Sequence, residues 1–319
     1  MRKVYFVLLP DVVLLDVAGA ADAFRSANQQ IPNSYAIEFV APQTQLTTGV
    51  GLEVTGLKPL PVNLPADSMV VITGLVGKHI DLNNSHVQRV VRWLKSAMED
   101  EALTLMCVCA GSLIAAAAGV LSGRECTTHH DHLEELSRVD PSAIVHGNRI
   151  FVEDGRILTS AGVTAGIDLA LHLIGQDLGH HVAAAVARNL VVYMRRAGND
   201  PQLSPWLTHR NHIHPAVHRV QDAIAKSPSA DWSASRLAAI ACTSERNLCR
   251  LFAQHAGCSP LDYVQRMRVA LARELITNSR LNIERVAQKA GFSSAHHRRR
   301  VWRRWESRAP NEQRAMSLG

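Results

Sequence analysis

The sequence predicts an α/β unit, a flavodoxin-like doubly wound parallel sheet, followed by an all-α domain with two helix-turn-helix units. Three observations carry this. Over residues 1–195 short apolar runs alternate with helical periodicity. Beyond residue 216 only helical periodicity remains, and one pattern occurs twice. The charge also divides: residues 226–319 hold 17 Lys and Arg against 7 Asp and Glu, whereas residues 1–225 hold 17 against 21. A chain of 319 residues, 47% hydrophobic and 19% charged, has the size and composition of about two ordinary globular domains.

Strand-like runs fall at 3–9 (KVYFVLL), 36–41 (AIEFVA), 69–73 (MVVIT), 103–107 (LTLMC) and 157–159 (ILT). They are nearly continuous in apolar residues, as strands of a parallel sheet covered on both faces are. Helical patterns fall at 17–29, 85–99, 110–119, 165–175 and 179–195. Ligands of such sheets sit beyond the carboxyl ends of the strands. The stretches Pro10–Asp16, Gly74–Gly77, Cys109–Ser112 and Ala161–Thr164 all fall there.

No run of 18 apolar residues occurs, and the N-terminal apolar stretch contains acidic residues and lacks a small-residue cleavage site. A cytoplasmic protein with no membrane partner is expected. Six cysteines without framework spacing fit a reducing compartment.

Residues 196–215, RAGNDPQLSPWLTHRNHIHP, show little periodicity and read as a linker, partly docked through Trp206. This gives an α/β domain at 1–195 and a helical domain at 216–319. The basic helical domain suggests a polyanion partner; a solvated basic face is the bland alternative. In 233–257, Leu237, Ala238, Ile240 and Ala241 form a first helix, Cys242–Thr243 a turn, and Ser244 an N-cap. Leu248, Leu251 and Phe252, spaced i, i+3, i+4, face the core. Arg246, Asn247, Cys249 and Arg250 then face outward, where a helix-turn-helix reaches base edges. Arg suits guanine O6 and N7, and Asn suits adenine. The second copy, 282–307, has Val286, Ala287 and Ala290, a turn at Gly291, a cap at Ser294, and outward His296, His297, Arg299 and Arg300. Between the copies, 260–276 reads as a linking helix with Val264, Met267, Ala270, Leu271 and Leu275 inward.

The stretches LAAIACTSERNLCRLFAQHAGCSPLDYVQRMRVALARELI and IERVAQKAGFSS resemble the AraC/XylS family of transcriptional regulators. The resemblance implies two helix-turn-helix units reading successive major grooves of promoter DNA, and RNA polymerase as a further partner of an activator. At position 298 the family carries an apolar residue, usually Leu, where this chain has Arg298. Either the helix is rotated with the Arg stem reaching solvent, or the second unit binds chiefly phosphates with steep salt dependence.

CAGSLIAAAAGVLSGRECTTHHDH (109–132), LTSAGVTAGIDLALHLI (158–174) and LLPDVVLLDVAGAADAF (8–24) resemble the ThiJ/PfpI family, related to class I glutamine amidotransferase domains. With an AraC-type domain behind it, the architecture is GlxA-type. This implies a homodimeric regulator with a small-molecule effector, an amino acid, betaine or related amine; some family members respond to arginine, carnitine or glycine betaine. Cys109 stands at a strand-to-helix elbow, where a helix N-terminus would lower its pKa. The N–H groups of Ala110 and the Gly74 loop can form an oxyanion site. By resemblance, His129 lies near the nucleophile position and Asp16 close to the thiol. Nucleophile, base and orienter are thus present on paper. The loop after 69–73 lacks the acidic residue of several family catalysts, and Ala110 stands where Thr is frequent.

The expectation is therefore effector binding without turnover, through Asp16, Gly74, Cys109, Ala110, His129, Gly162 and Val163. GVTAG (162–166) is either a helix N-terminus that receives a ligand carboxylate or a plain turn. The rival is a cysteine-dependent hydrolase or amidase with an accessory DNA-binding domain. Cys107 is read as core, and Cys126, Cys242, Cys249 and Cys258 as structural. HHDH (129–132) lacks a matching Cys/His spacing, so no metal and no cofactor is expected.

Overall fold

A computed structural model of the chain describes residues 1–192, 196–198, 202, 209, 212, 214–278, 281–292 and 295–305; at 277–278 and 295–298 it describes the backbone alone. Trp206 and Ser294 lie outside the described residues. The chain divides into two compact units, Met1–Gln202 and Leu203–Gly319.

The first unit runs β1 (Arg2–Val7), α1 (Leu14–Gln30), β2 (Tyr35–Ala41), β3 (Gln45–Thr47), β4 (Glu53–Thr55), β5 (Lys58–Pro59), β6 (Met69–Ile72), α2 (Ser85–Ala97), β7 (Thr104–Val108), α3 (Gly111–Ala117), β8 (Glu125–Cys126), α4 (Leu133–Val139), β9 (Ile144–Val145), β10 (Phe151–Asp154), β11 (Ile157–Ser160), α5 (Thr164–Leu178) and α6 (His180–Asn189). Seven strands form one sheet in the order β10-β11-β7-β6-β1-β2-β5. All neighbours are parallel except β10 and β11. β6 and β11 are buried at every position; β6 is accordingly apolar without alternation, and β11 buries Thr159 and Ser160 beside Ile157 and Leu158. Helices α1, α5 and α6 pack together as one group, and α2, α3 and α4 as another.

The chain moves one way from β1 to β2 and the other way from β1 to β6. That reversal is the switch point at which doubly wound sheets leave a crevice. Pairing of Val7 with Ile72, Ile72 with Cys107, and Val108 with Ser160 sets four strand ends level. The loops after β1, β6, β7 and β11 therefore meet.

The five inner strands β1, β2, β6, β7 and β11 and helices α1, α2, α3, α5 and α6 stand where the sequence places them, with end shifts: α1 starts at Leu14 and α6 ends at Asn189. Helix α4 is one that the sequence reading does not place. The β3–β4 hairpin, the β8–β9 pair and edge strands β5 and β10 have two to four residues each and, unlike the equally short β6 and β11, are partly exposed, so no apolar run marks them.

The second unit runs α7 (Pro215–Lys226), α8 (Ala234–Ala241), α9 (Glu245–Ala256), α10 (Pro260–Asn278), α11 (Ile283–Lys289) and α12 (Ala295–Trp305). Caps set the starts: the side chains of Ser233, Ser244 and Asn282 accept from the N–H of Arg236, Asn247 and Arg285. Cys242 closes α8 in the left-handed region at φ 55°. The unit has two hydrophobic cores, one per helix-turn-helix. α10 gives Tyr263, Val264 and Met267 to the first and Val269, Ala272 and Ile276 to the second. Ala270 is only half-buried, and Leu271 and Leu275 pack at the edge of the second core. Among the described residues no helix is long and apolar enough to cross a membrane.

Phe252 is fully buried at the centre of the first helical core. Phe252→Ala is expected to cost the second unit about 3–5 kcal/mol. Urea unfolding of the full chain measures this, with hydrogen exchange in β1, β6 and β7 unchanged as the control.

Candidate functional site

Strand β7 ends at Val108, and the next residue, Cys109, turns the backbone to φ 58°. A non-glycine residue holds this conformation only where the surroundings fix it. Here the Cys109 N–H donates to the Ser160 carbonyl at 3.0 Å, and its own carbonyl accepts from Thr128 Oγ1 at 2.8 Å. The side chain is left 6% exposed. Gly162, at φ 84°, passes so close that a Cβ there would sit 2.1 Å from Cys109 Cβ. At Gly74 a Cβ would meet Asp16 Oδ2 and Cys109 Cβ at 2.7 Å. Neither position can carry a side chain without displacing the elbow.

Asp16, in the first turn of α1, is fully buried. Its Oδ1 accepts from the Val163 N–H at 2.6 Å and its Oδ2 from the Gly74 N–H at 3.1 Å. The Cys109 thiol is a third hydrogen-bond partner. Among the described residues no Lys, Arg or His pairs with it. Burial raises its pKa to about 6, and the two backbone donors and the thiol only partly oppose that. One residue before Gly74, Thr73 is 2% exposed and its hydroxyl has no partner among the described residues.

The structure corrects two expectations about the thiol. Its pKa is pushed up to about 12, first by burial and then by the Asp16 charge; the Ala110 N–H opposes this but does not prevail. The seven-residue α3 does not outweigh a buried carboxylate alongside. The oxyanion pair is also not free, because the Gly74 N–H is committed to Asp16.

Asp16, Gly74, Cys109, Ala110, Gly162 and Val163 thus come together. His129 does not join them by a hydrogen bond. Its Nδ1 accepts from the Asp131 N–H at 3.4 Å and lies 3.5 Å from the Asp131 carboxylate. Burial lowers its pKa. Its chain neighbour Thr128 donates to the Cys109 carbonyl. Donor atoms of His129, His130 and Asp131 lie within 4.8 Å of one another. Three consecutive residues, two of them exposed, supply one donor fewer than a closed tetrahedral site needs. Cys107 is fully buried, as its strand position implies, and burial holds its thiol protonated.

The segment after the α/β core is tied to the loops that frame Asp16 and Cys109. Gln202 Nε2 donates to the Thr128 carbonyl at 2.8 Å, and its N–H to Asn148 Oδ1 at 3.1 Å. Arg196 donates to Thr164 Oγ1 and to both oxygens of Asp168, in the first turns of α5. The Gly198 carbonyl accepts from the Ile150 N–H. Sequence reading placed these residues in a linker because they lack periodicity. Thr73 and Thr128 were passed over because burial, not residue type, gives them their role.

In the second unit, Arg246, Cys249 and Arg250 are exposed on α9 and Asn247 is half-buried beside them. Arg299 and Arg300 are exposed on α12. The side chains of His296, His297 and Arg298 lie outside the described residues.

A crevice-bearing α/β unit followed by two helix-turn-helix units is the make-up of a DNA-binding transcriptional regulator. The chain belongs to the DJ-1/PfpI family, whose model matches residues 2–176; a helix-turn-helix domain model matches residues 237–316. It is similar to the HTH-type transcriptional regulator GbdR of Pseudomonas aeruginosa, 27% identical over 317 residues that cover 98% of this chain and 84% of that one. The HTH-type transcriptional regulator GlxA of Rhizobium meliloti is 30% identical over 210 residues, 66% of this chain and 64% of that one. An AraC family transcriptional regulator of Pseudomonas putida shares the fold with a TM-score of 0.52 at 21% identity, over 60% of this chain and all of the other. The AraC-type, GlxA-like architecture that the sequence implies is thus the one its relatives carry.

A thiol with its pKa near 12 is largely protonated at neutral pH. Iodoacetamide should modify the exposed Cys242 and Cys249 well before Cys109 at pH 7.5, as read by peptide mass spectrometry. Asp16→Ala should shift the Cys109 alkylation profile to lower pH, because the charge that opposes the thiolate is gone. Cys109 reacting first would contradict this account.

Proposed function

We propose that this transcriptional regulator is controlled by a small cationic or zwitterionic nitrogenous metabolite held at the β1–β6 switch point. The observation that carries the reading is Asp16, a fully buried carboxylate with three hydrogen-bond donors and no cationic partner among the described residues. A pKa raised from 3.8 to about 6 corresponds to a destabilisation on the order of 3 kcal/mol in the ionised form. The stability at stake is intact below about pH 4, where Asp16 is protonated, and is lost as pH rises through 6. A ligand ammonium beside Asp16 would recover it at neutral pH. The unpartnered hydroxyl of Thr73 supplies a second polar contact of the same site.

In this reading the site binds and does not turn over, because the thiol is protonated and an expected oxyanion donor is occupied. The elbow residues Gly74, Cys109, Ala110, Gly162 and Val163 shape the site, with His129 at its margin. Occupancy alters the loops at Thr128 and Val163–Thr164. Gln202 and Arg196 pass that change into the chain that leads to the helical unit. The regulator acts as a homodimer on promoter DNA and activates through RNA polymerase. Exposed Val50 and Leu52 on the β3–β4 hairpin, with Val76 against Gly49, give an apolar edge for self-association.

Glycine betaine, carnitine and arginine are the probes for a thermal-shift assay of the full chain at pH 7.5. A true effector at 100 times its Kd stabilises by about 2.7 kcal/mol. Asp16→Ala should abolish the shift, and lowering the pH from 7.5 to 5 should weaken it as Asp16 protonates. Cys109→Ala should leave effector-dependent transcription intact. A shift that persists in Asp16→Ala would rule out this site.

Gln202→Ala tests the output path separately. Effector binding should stay within about threefold of wild type, because Gln202 bonds to Thr127 and Thr128 and not to Asp16. Effector-dependent transcription should drop or become constitutive. A wild-type response in a reporter assay would show that the signal leaves by another route.

A further inference from the structure

The first turn of α9 holds a hydrogen-bonded relay that changes the roles of two outward residues. Thr243 is the last turn residue before the cap Ser244, and Asn247 and Arg250 follow at i+4 and i+7. Those spacings put all three on one face. Asn247 Nδ2 donates to Thr243 Oγ1 at 2.7 Å. Asn247 Oδ1 accepts from Arg250 Nη2 at 2.9 Å and from Nε at 3.3 Å. Arginine has no acceptor, so the amide oxygen must face it and the amide nitrogen must face Thr243.

We propose that Asn247 is a positioning residue for Arg250, and that Arg250 alone of the pair reads a base, a guanine. Reading adenine takes both ends of an asparagine amide, the oxygen to N6 and the nitrogen to N7. Here the oxygen already serves two guanidinium N–H groups and the nitrogen is drawn back to the turn. Arg250 keeps its Nη1 donors and the outer Nη2 hydrogen. Those form the forked pair that fits guanine O6 and N7. Arg250 is exposed, and without Asn247 its long side chain would sample many rotamers. The relay fixes the fork before DNA arrives, so less freedom is lost on binding. Thr243 anchors the amide that anchors the arginine. The assignment rests on the reading of α9 as a DNA-facing helix.

The test is selection from a random duplex library by the full chain, comparing wild type, R250A, N247A, N247D and T243V, each checked for folding by circular dichroism. R250A should lower guanine preference at one base pair of the selected motif by about 10-fold or more, as loss of a bidentate contact does. N247A should lower preference at that same base pair, by about 3- to 10-fold, and leave every other position unchanged. N247D keeps the acceptor for Arg250 and should retain the guanine preference, while overall affinity falls from phosphate repulsion. T243V should give a weaker version of N247A at the same base pair. An N247A effect at a different base pair, or none, overturns the assignment, as does loss of the guanine preference in N247D. A wild-type chain that selects no motif overturns the DNA reading and this assignment together. A wild-type motif whose guanine is untouched by N247A overturns this assignment alone.

Discussion

The buried carboxylate of Asp16 ties the first unit together at its working end. It sits in the first turn of α1, after β1, and takes hydrogen bonds from the loop after β6, the loop after β11 and the thiol after β7. Four chain segments that are far apart in sequence are thereby held at one point. The parallel register delivers them there, because it sets the strand ends level. Small residues complete the arrangement: Gly74 and Gly162 let backbone approach where a methyl group would collide. An unpaired buried carboxylate is costly. Its retention at a topological switch point makes sense when a ligand supplies the missing charge, in line with the exchange of stability for function seen at binding sites generally.

The same residue works against the chemistry that the outline of the elbow suggests. A nucleophile needs a thiolate, and Asp16 beside a buried thiol works against one. An oxyanion site needs uncommitted donors, and Asp16 occupies that of Gly74. The geometry that builds the crevice is what silences the sulfur. Sequence resemblance to catalytic relatives reports the outline, whereas the balance between burial, charge and donors reports the chemistry.

Much of this was legible in the sequence. The inner strands declared themselves by largely apolar runs, and the repeated helical pattern declared the second unit. Cys109, Asp16, Gly74, Gly162 and Val163 could be gathered from motifs because each sits just past a strand end. What could not be read was the state of the groups. The raised thiol pKa depends first on burial and then on a carboxylate 93 residues away along the chain. The orphaned Thr73 hydroxyl is visible only once its neighbours are placed. Asn247 looked like a base reader by residue type alone, and only its partners show the amide to be engaged. The strands that escaped did so for a different reason: they are short and partly exposed, so pairing decides them, not pattern.

Cysteine placement carries one more consequence, for redox chemistry. Oxidation of a sulfur requires access, a thiolate and room for an added oxygen. Cys109 has none of these in full: it is buried, protonated and walled by Gly162, where even a methyl group would come 2.8 Å from Sγ. Cys242 and Cys249 are exposed, one at the turn before the recognition helix and the other on its outward face. Peroxide or a disulfide reagent would therefore meet this chain first at α9 and the turn before it, and the sulfur at the elbow would be the slower to oxidise.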